Sequence, residues 1–145
     1  MRRYQLYLLD DQVATSYFGR ESKLFQLFEE HAQAKDGPRS LLDKQVDYIT
    51  KPLPTRTLKY AFRRYQEPRQ ETCEDTYVIQ CPQEQSGSCK VQLDAKFVQL
   101  WASGDIDSET AIFDLLKGVD PHFFAVNVED RRFGWLQPFD KHRVL

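Results

Sequence analysis

The stretch YFGRESKLFQLF, residues Tyr17–Phe28, decides how the N-terminal half of this chain folds. It places four aromatic residues and two leucines among charged and polar residues, a composition typical of an amphipathic helix. In a helix, Val13, Tyr17, Leu24 and Phe28 would share one face, since they lie at i, i+4, i+11 and i+15. Three aromatics fill one core stripe, so the fourth indicates a surface that contacts a partner.

Around this stretch, the N-terminal half predicts one strand followed by helices. Apolar residues over 4–9 are typical of a strand, and Asp10 and Asp11 then serve as a helix cap. Gly19 weakens the helical pattern that runs to about residue 33 and marks a break into two helices. Two further helices are predicted beyond Pro38 and over 55–66. The buried face of the first would carry Leu41, Leu42, Val46 and Ile49.

The C-terminal half changes to a strand pattern. Strands are predicted over 76–81, 89–93, 97–101, 123–128 and 132–136. One helix interrupts them, beginning at Asp107 and ending at Gly118, a residue type common at helix C-termini. Because helices come first and strands later, we predict one α+β domain over residues 1–145. Helices from the N-terminal half would pack on a mainly antiparallel sheet from the C-terminal half.

The composition is that of a globular chain and limits the classes of partner. With 145 residues, the chain can bury a core without disulfides or metals. Its longest apolar runs reach three or four residues, which predicts no transmembrane helix, and the N-terminus does not resemble a signal peptide. We therefore expect a cytoplasmic protein. The formal net charge of −2 disfavours nucleic acid as a partner, because nucleic-acid-binding domains are usually basic.

The residues offer no recognisable catalytic set. A nucleophile needs a base within hydrogen-bond reach, and His31, His122 and His142 lie far apart, outside any known motif. The three cysteines include no C-x2-C pair of the kind that a zinc site would need. The acidic run from Asp105 to Glu109 is typical of a helix N-terminus rather than of a metal loop. We predict a protein that is not an enzyme and that requires no cofactor, metal or small-molecule substrate.

Segment 56–69 supports an alternative function, since it combines basic and aromatic residues. It holds five basic residues against one glutamate. Such a mixture can bind single-stranded nucleic acid by stacking bases on rings. Helical spacing, however, places Phe62 and Tyr65 on the same face as Leu58, which predicts that both rings belong to the core. A direct DNA-binding repressor that uses this segment is therefore the alternative hypothesis.

Four separate blocks of sequence resemble one known family. The blocks are YFGRES (Tyr17–Ser22), KQVDYITKP (Lys44–Pro52), ASGD (Ala102–Asp105) and RFGWLQP (Arg132–Pro138). Their order and spacing are similar to those of the SirA family, the sporulation inhibitors of replication from Bacillus-type bacteria. Several blocks in register are far more specific than any one block. The sequence is therefore identified as a member of this family.

The resemblance implies a partner and a set of site residues. Members of the family are small cytoplasmic proteins made on entry into sporulation. They bind the N-terminal domain of the replication initiator DnaA and block new rounds of initiation. The family's initiator-facing tyrosine corresponds to Tyr17, and its glutamine corresponds to Gln45. The aromatic residue that the family carries four positions before the tyrosine is replaced here by Val13.

The residues alone leave the role of Tyr17 open. A tyrosine at this position fits an ordinary core residue with a satisfied hydroxyl as well as an interface anchor. The resemblance favours the anchor. Val13 lies one helical turn from Tyr17 on the same face and would add apolar area beside it. A core position is favoured for Phe25, Phe28, Phe133 and Trp135.

Overall fold

Six strands form one antiparallel sheet in the computed structural model, which describes residues 2–65, 76–79, 87–104 and 107–136. The strands are β1 (Arg2–Leu8), β2 (Thr76–Ile79), β3 (Gly87–Leu93), β4 (Phe97–Gly104), β5 (Phe123–Asn127) and β6 (Arg132–Trp135). Their order is β2-β3-β4-β1-β5-β6, and every neighbouring pair is antiparallel. Most of the predicted hairpin turn between β2 and β3 lies outside the described residues, as do residues 66–75 and 137–145.

Strand β1 occupies the centre of the sheet, and it is apolar on both faces. Tyr4, Leu6 and Leu8 point to one side of the sheet, whereas Tyr7 and Leu9 point to the other. All five side chains are at most 5% exposed. A strand buried on both faces needs helices on each side of the sheet.

Five helices in the described part of the chain supply these two layers. They are α1 (Asp11–Ser16), α2 (Glu21–Gln33), α3 (Asp36–Ile49), α4 (Thr55–Arg64) and α5 (Asp107–Val119). Helices α4 and α5 cover one face of the sheet, and α1, α2 and α3 cover the other. The predicted α+β fold is confirmed. The strand predicted over 4–9 joins the sheet as β1, and the helix predicted to begin at Asp107 is α5, so each half also contributes one element of the other kind.

The layer of α4 and α5 covers the larger of the two cores. Leu58 and Phe62 of α4 are fully buried, as are Ile112 and Leu116 of α5. Each pair is spaced by four residues, so each helix presents one narrow apolar stripe to the sheet. Among the described residues, none of the helices combines the length and the apolar content that a membrane span requires.

Aromatic side chains fix the layer of α1, α2 and α3 to the opposite face. Phe28 of α2 stacks on Tyr7 of β1 with ring centroids 4.1 Å apart, and it lies 6.1 Å from Phe124 of β5. Trp135 of β6 meets Phe124 edge-on at 5.0 Å. Phe25 of α2 is buried in the same cluster. The predicted core positions of Phe25 and Phe28 are confirmed.

Gly19 separates α1 from α2, as predicted. Its φ angle of +84° lies in the left-handed region, which strains any residue with a β-carbon. Gly118 was predicted to end α5, but it lies within the helix and shows no positive φ angle. Its backbone therefore does not require glycine.

One buried ion pair joins α5 to β1. Glu109 is 1% exposed, and its Oε1 accepts a hydrogen bond from Nε of Arg2 at 2.6 Å. Burial, together with a hydrogen bond to Glu109, raises the pKa of Tyr4 to about 12. Glu109 was predicted only as a charge near a helix N-terminus. The structure shows that its carboxylate also connects two elements of the core.

Three residues predicted for the core are exposed: Leu41 by 61%, Tyr65 by 47% and Phe133 by 39%. Helix α3 packs mainly against α2, so only Val46 of α3 is fully buried and Leu41 faces solvent. Tyr65 follows the last residue of α4, where helical periodicity no longer sets the direction of a side chain. Phe133 lies on the edge strand β6 and stacks on Phe25 at 4.8 Å, which covers one side of its ring.

We expect Phe28→Ala to lower the free energy of unfolding by about 3–5 kcal/mol, the usual cost of removing a buried phenylalanine. The ring contacts both Tyr7 and Phe124, and neither neighbour can fill the cavity without moving a strand. Urea denaturation followed by tryptophan fluorescence measures this loss. Gln26→Ala, on the exposed side of α2, is the control and should change stability by less than about 0.5 kcal/mol. A loss below about 1 kcal/mol for Phe28→Ala would contradict the role given to this ring.

Candidate partner-binding surface

Backbone hydrogen bonds join the end of α3 to the end of β1. The N–H of Asp10 donates to the carbonyl of Ile49 at 2.8 Å, and the N–H of Lys51 donates to the carbonyl of Leu8 at 3.0 Å. An isolated antiparallel bridge lies between these two bonds. Helix α1 begins directly after Asp10, so its start is held beside the last turn of α3.

Side chains fix the first turn of α1 further. The carboxylate of Asp10 accepts a hydrogen bond from the N–H of Gln12 at 3.0 Å, which confirms the predicted cap. The Oδ1 of Asp11 lies 2.7 Å from Nζ of Lys51 and 2.6 Å from Nδ1 of His122. Hydrogen bonds from Lys51 and then from His122 hold the pKa of Asp11 below its usual value of 3.8.

This polar cluster has the residue types of a metal site, but a lysine occupies it. Ligand atoms of Asp11, Asp120 and His122 all lie within 4.8 Å of one another. The ammonium of Lys51 pairs with Asp11 and lies 3.0 Å from Oδ2 of Asp120, so the two carboxylates already share one cation. We interpret the cluster as structural, since it ties α1 to the end of α3 and to the segment before β5.

Val13 lies in the middle of α1, and Tyr17 is the residue that follows its last turn. The N–H of Tyr17 donates to the carbonyl of Val13 at 2.9 Å, and the N–H of Arg20 donates to the carbonyl of Tyr17 at 2.8 Å. Both side chains are half-buried and pack against the aromatic core around Phe28. Tyr17 therefore contributes to the core and also reaches the surface.

Two shallow hollows adjoin at Tyr17. One has a volume of about 410 Å³ and is lined by Tyr17, Leu27, Lys44, Gln45, Tyr48 and Ile49. The other has a volume of about 350 Å³ and is lined by Asp10, Gln12, Val13, Ser16, Tyr17 and Tyr48. Tyr17 and Tyr48 belong to both hollows. The structure thus brings the three site residues predicted from sequence into one area, and we call Val13, Tyr17, Gln45 and Tyr48 the tyrosine surface.

Tyr48 is the residue of this surface that sequence reasoning missed. Its side chain is 85% exposed, and it lies three positions after Gln45 on the outer side of α3. One signal could have revealed it. Helical spacing turns Val46 and Ile49 inward, which leaves Tyr48 as an aromatic residue on the polar side of an amphipathic helix. Large apolar side chains at such positions often mark a contact surface.

We expect Asp11→Asn to destabilise the protein at neutral pH and to lose this effect in acid. The pKa of Asp11 is lower in the folded protein than its usual value of 3.8. The carboxylate therefore stabilises the fold above about pH 3.8. This contribution disappears as the pH falls through the pKa of Asp11 in the folded protein, which is lower. Thermal unfolding of wild type and variant at a series of pH values measures the difference.

The control for this titration is Glu30→Gln, on the exposed side of α2. Within the described part of the chain, Glu30 has no ion pair to lose. The substitution Glu30→Gln should therefore leave the pH dependence of the melting temperature unchanged. A wild-type advantage over Asp11→Asn that stays constant from neutral pH to about pH 2.5 would contradict the proposed ion pairs.

Comparison with known proteins agrees with the resemblance of the sequence blocks. A family model described as the sporulation inhibitor of replication protein SirA matches residues 2–140. A curated protein from Bacillus subtilis (strain 168), named sporulation inhibitor of replication protein SirA, is 30% identical over 147 residues, which cover 99% of this chain and 99% of that protein. The match covers both layers of helices and the whole described sheet. The chain therefore belongs to the SirA family.

Proposed function

We propose that this protein inhibits the initiation of chromosome replication during sporulation by binding the N-terminal domain of the initiator DnaA. Membership of the family supports the first part, since the relative from Bacillus subtilis is named a sporulation inhibitor of replication. The tyrosine surface supports the second part. Val13, Tyr17 and Gln45 are the residues that the resemblance assigns to the partner, and although they come from two helices they line adjoining hollows.

The tyrosine surface has the composition of a protein interface. Tyr17 and Tyr48 offer large rigid rings with a hydroxyl, and tyrosine is enriched among the residues that dominate binding energy. Gln45 offers an amide that can both donate and accept, which suits it to fixing the register of a partner. Because Tyr48 is 85% exposed, a partner that covers its ring removes apolar area from water, at a gain of about 25 cal/mol per Å².

Inhibition would follow from occupancy of the partner and not from catalysis. A domain of DnaA that is covered by the tyrosine surface cannot at the same time contact other replication proteins through the same site. Occupancy alone includes no chemical step, so the proposal invokes no cofactor. We propose that the protein acts in the cytoplasm, where the initiator and the chromosome are found.

Direct binding of DNA through α4 is the second candidate, and one observation favours it. Tyr60 and Tyr65 are 71% and 47% exposed, so the ring predicted for the core at Tyr65 is accessible to a base. Arg63 and Arg64 are exposed beside them. The net charge of −2 and the family favour a protein partner. A two-component mixture of this protein and the DnaA domain, without DNA, separates the two candidates. Binding that persists in this mixture favours the protein partner.

We expect Tyr17→Ala to weaken binding to the DnaA domain by at least about 2 kcal/mol, the level of a central anchor. The ring lines both hollows, so its removal takes away the side chain of α1's C-terminal cap that borders each of them. Isothermal titration calorimetry with the purified domain measures the affinity. Circular dichroism and thermal unfolding show whether the variant is folded, since Tyr17 also packs on the core. Equal affinity for wild type and variant would contradict this assignment.

We expect Tyr48→Ala to weaken the same binding by about 1–2 kcal/mol and to leave stability unchanged, because the ring contacts water in the free protein. Gln45→Ala, also exposed, should have a smaller effect in the same direction. The matched control is Tyr60→Ala, which removes a ring of similar exposure on the other face of the sheet and should bind as wild type does. If Tyr48→Ala and Tyr60→Ala bind alike, Tyr48 does not belong to the contact.

A further inference from the structure

The outer side of α3 carries a row of exposed side chains that continues beyond the tyrosine surface. Leu41, Lys44, Gln45 and Tyr48 lie at i, i+3, i+4 and i+7, so they share one face of the helix. All four are exposed, and the two at the ends, Leu41 and Tyr48, are 61% and 85% exposed. The ends lie about 10 Å apart along the helix axis, because each residue rises by about 1.5 Å. We call these four residues the α3 stripe.

Leu41 is the member of the α3 stripe that neither the fold nor the tyrosine surface explains. It belongs to neither of the two buried clusters formed by the described residues. A single exposed leucine is ordinary, but this one lies on the same helix face as the exposed ring of Tyr48. Of the five large hydrophobic side chains that are exposed in the described part of the chain, two therefore lie on this stripe. Apolar side chains grouped in this way are typical of a contact surface.

Lys44 places one positive charge between the two apolar ends. It lines the hollow of about 410 Å³ beside Tyr17, and it is the only charged residue among those that line it. Within the described part of the chain, Lys44 takes part in no ion pair, whereas Lys51 and Lys96 both do. The positive charge of Lys44 is therefore available to a partner.

The two carboxylates that flank this lysine in the sequence of α3 already have other partners. Oδ1 of Asp43 lies 2.5 Å from Nε2 of His31 and 3.4 Å from Nε of Arg39. Asp47 pairs with Lys96, which follows the end of β3. The charge of the α3 stripe is thus not cancelled within its own helix. A positive charge of this kind favours a partner that presents a carboxylate.

We propose that the α3 stripe binds a segment of the DnaA domain in which a carboxylate lies between two apolar side chains about 10 Å apart. The proposal rests on the proposed function and extends that contact along α3 to Leu41. One apolar side chain covers Leu41, the other enters the hollow beside Tyr48, and the carboxylate pairs with the ammonium of Lys44. Charges at the border of an interface act mainly on specificity and on the rate of association, so Lys44 selects and orients the partner.

Charge reversal tests the role of Lys44. Surface plasmon resonance with the immobilised DnaA domain measures the association rate constant of the whole chain at low and at high salt. Lys44→Glu should lower this rate constant at least about tenfold at low salt, and the difference should shrink at high salt. Arg56→Glu is the matched control. It makes the same change in net charge at an exposed position of α4, in the other layer, and should associate nearly as wild type does.

A scan of the partner tests the predicted carboxylate. Each exposed Asp and Glu of the DnaA domain is replaced by Lys, one at a time. One of these domain variants should restore binding to Lys44→Glu and should bind the wild-type protein more weakly. If none restores binding to Lys44→Glu, the proposed ion pair does not exist.

Leu41→Gln tests the apolar end of the stripe. This substitution should weaken the affinity for the DnaA domain at least about threefold. It should leave thermal unfolding unchanged, because the side chain already contacts water. Tyr60→Gln, which replaces an exposed ring in the other layer, is the control and should bind as wild type does. Equal affinity for wild type and Leu41→Gln would end the contact at the tyrosine surface and overturn its extension.

The variant Tyr17→Ala separates failure of this inference from failure of the proposed function. If Tyr17→Ala weakens binding while Lys44→Glu associates as Arg56→Glu does, the α3 stripe is wrong and the proposed function stands. If the wild-type protein itself does not bind the DnaA domain, both are wrong.

Discussion

The apolar character of both faces of β1 is the constraint on which the rest of the structure depends. A central strand with Tyr4 and Leu6 on one side and Tyr7 on the other cannot leave either face to water. The chain therefore builds one layer from α1, α2 and α3 and crosses to the opposite face to build α4. The crossing occurs where the end of α3 is hydrogen-bonded to the end of β1. That junction sets α1 beside α3 and so brings Tyr17 next to Tyr48.

The two layers also explain why the molecule presents two separate surfaces. The tyrosine surface belongs to the layer of α1 and α3, and the exposed rings of Tyr60 and Tyr65 belong to the other layer. The sheet and both cores lie between them, so a substitution at one surface shares no contact with the other. Effects at sites without shared contacts are usually additive, which makes Tyr48→Ala and Tyr60→Ala independent probes. Both surfaces arise in the same way, because helices with one narrow buried stripe leave aromatic residues outside.

The sequence predicted those features that depend on local chemistry. Gly19 marked the break between α1 and α2, Asp10 marked the cap, and alternating apolar residues marked the hairpins of the sheet. It failed where packing between elements decides the outcome. Periodicity shows which residues share a helix face, but not that α3 would lie on α2, which exposes Leu41 and Tyr48. Nor does it show that Arg2 would reach Glu109 from the far end of the chain.

Val13 lies where the resemblance implies an aromatic residue in the family, and the structure shows what surrounds this position. Its side chain packs against the core and lines the hollow of about 350 Å³ beside Tyr17 and Tyr48. An aromatic ring at this position would extend into that hollow and carry part of the contact itself. With valine there, the space stays open, and the proposed contact would require a partner whose own apolar side chain enters it. In the proposed contact, Tyr17 and Tyr48 would then be the main anchors, since a few central residues, often tyrosines, dominate the binding energy of an interface.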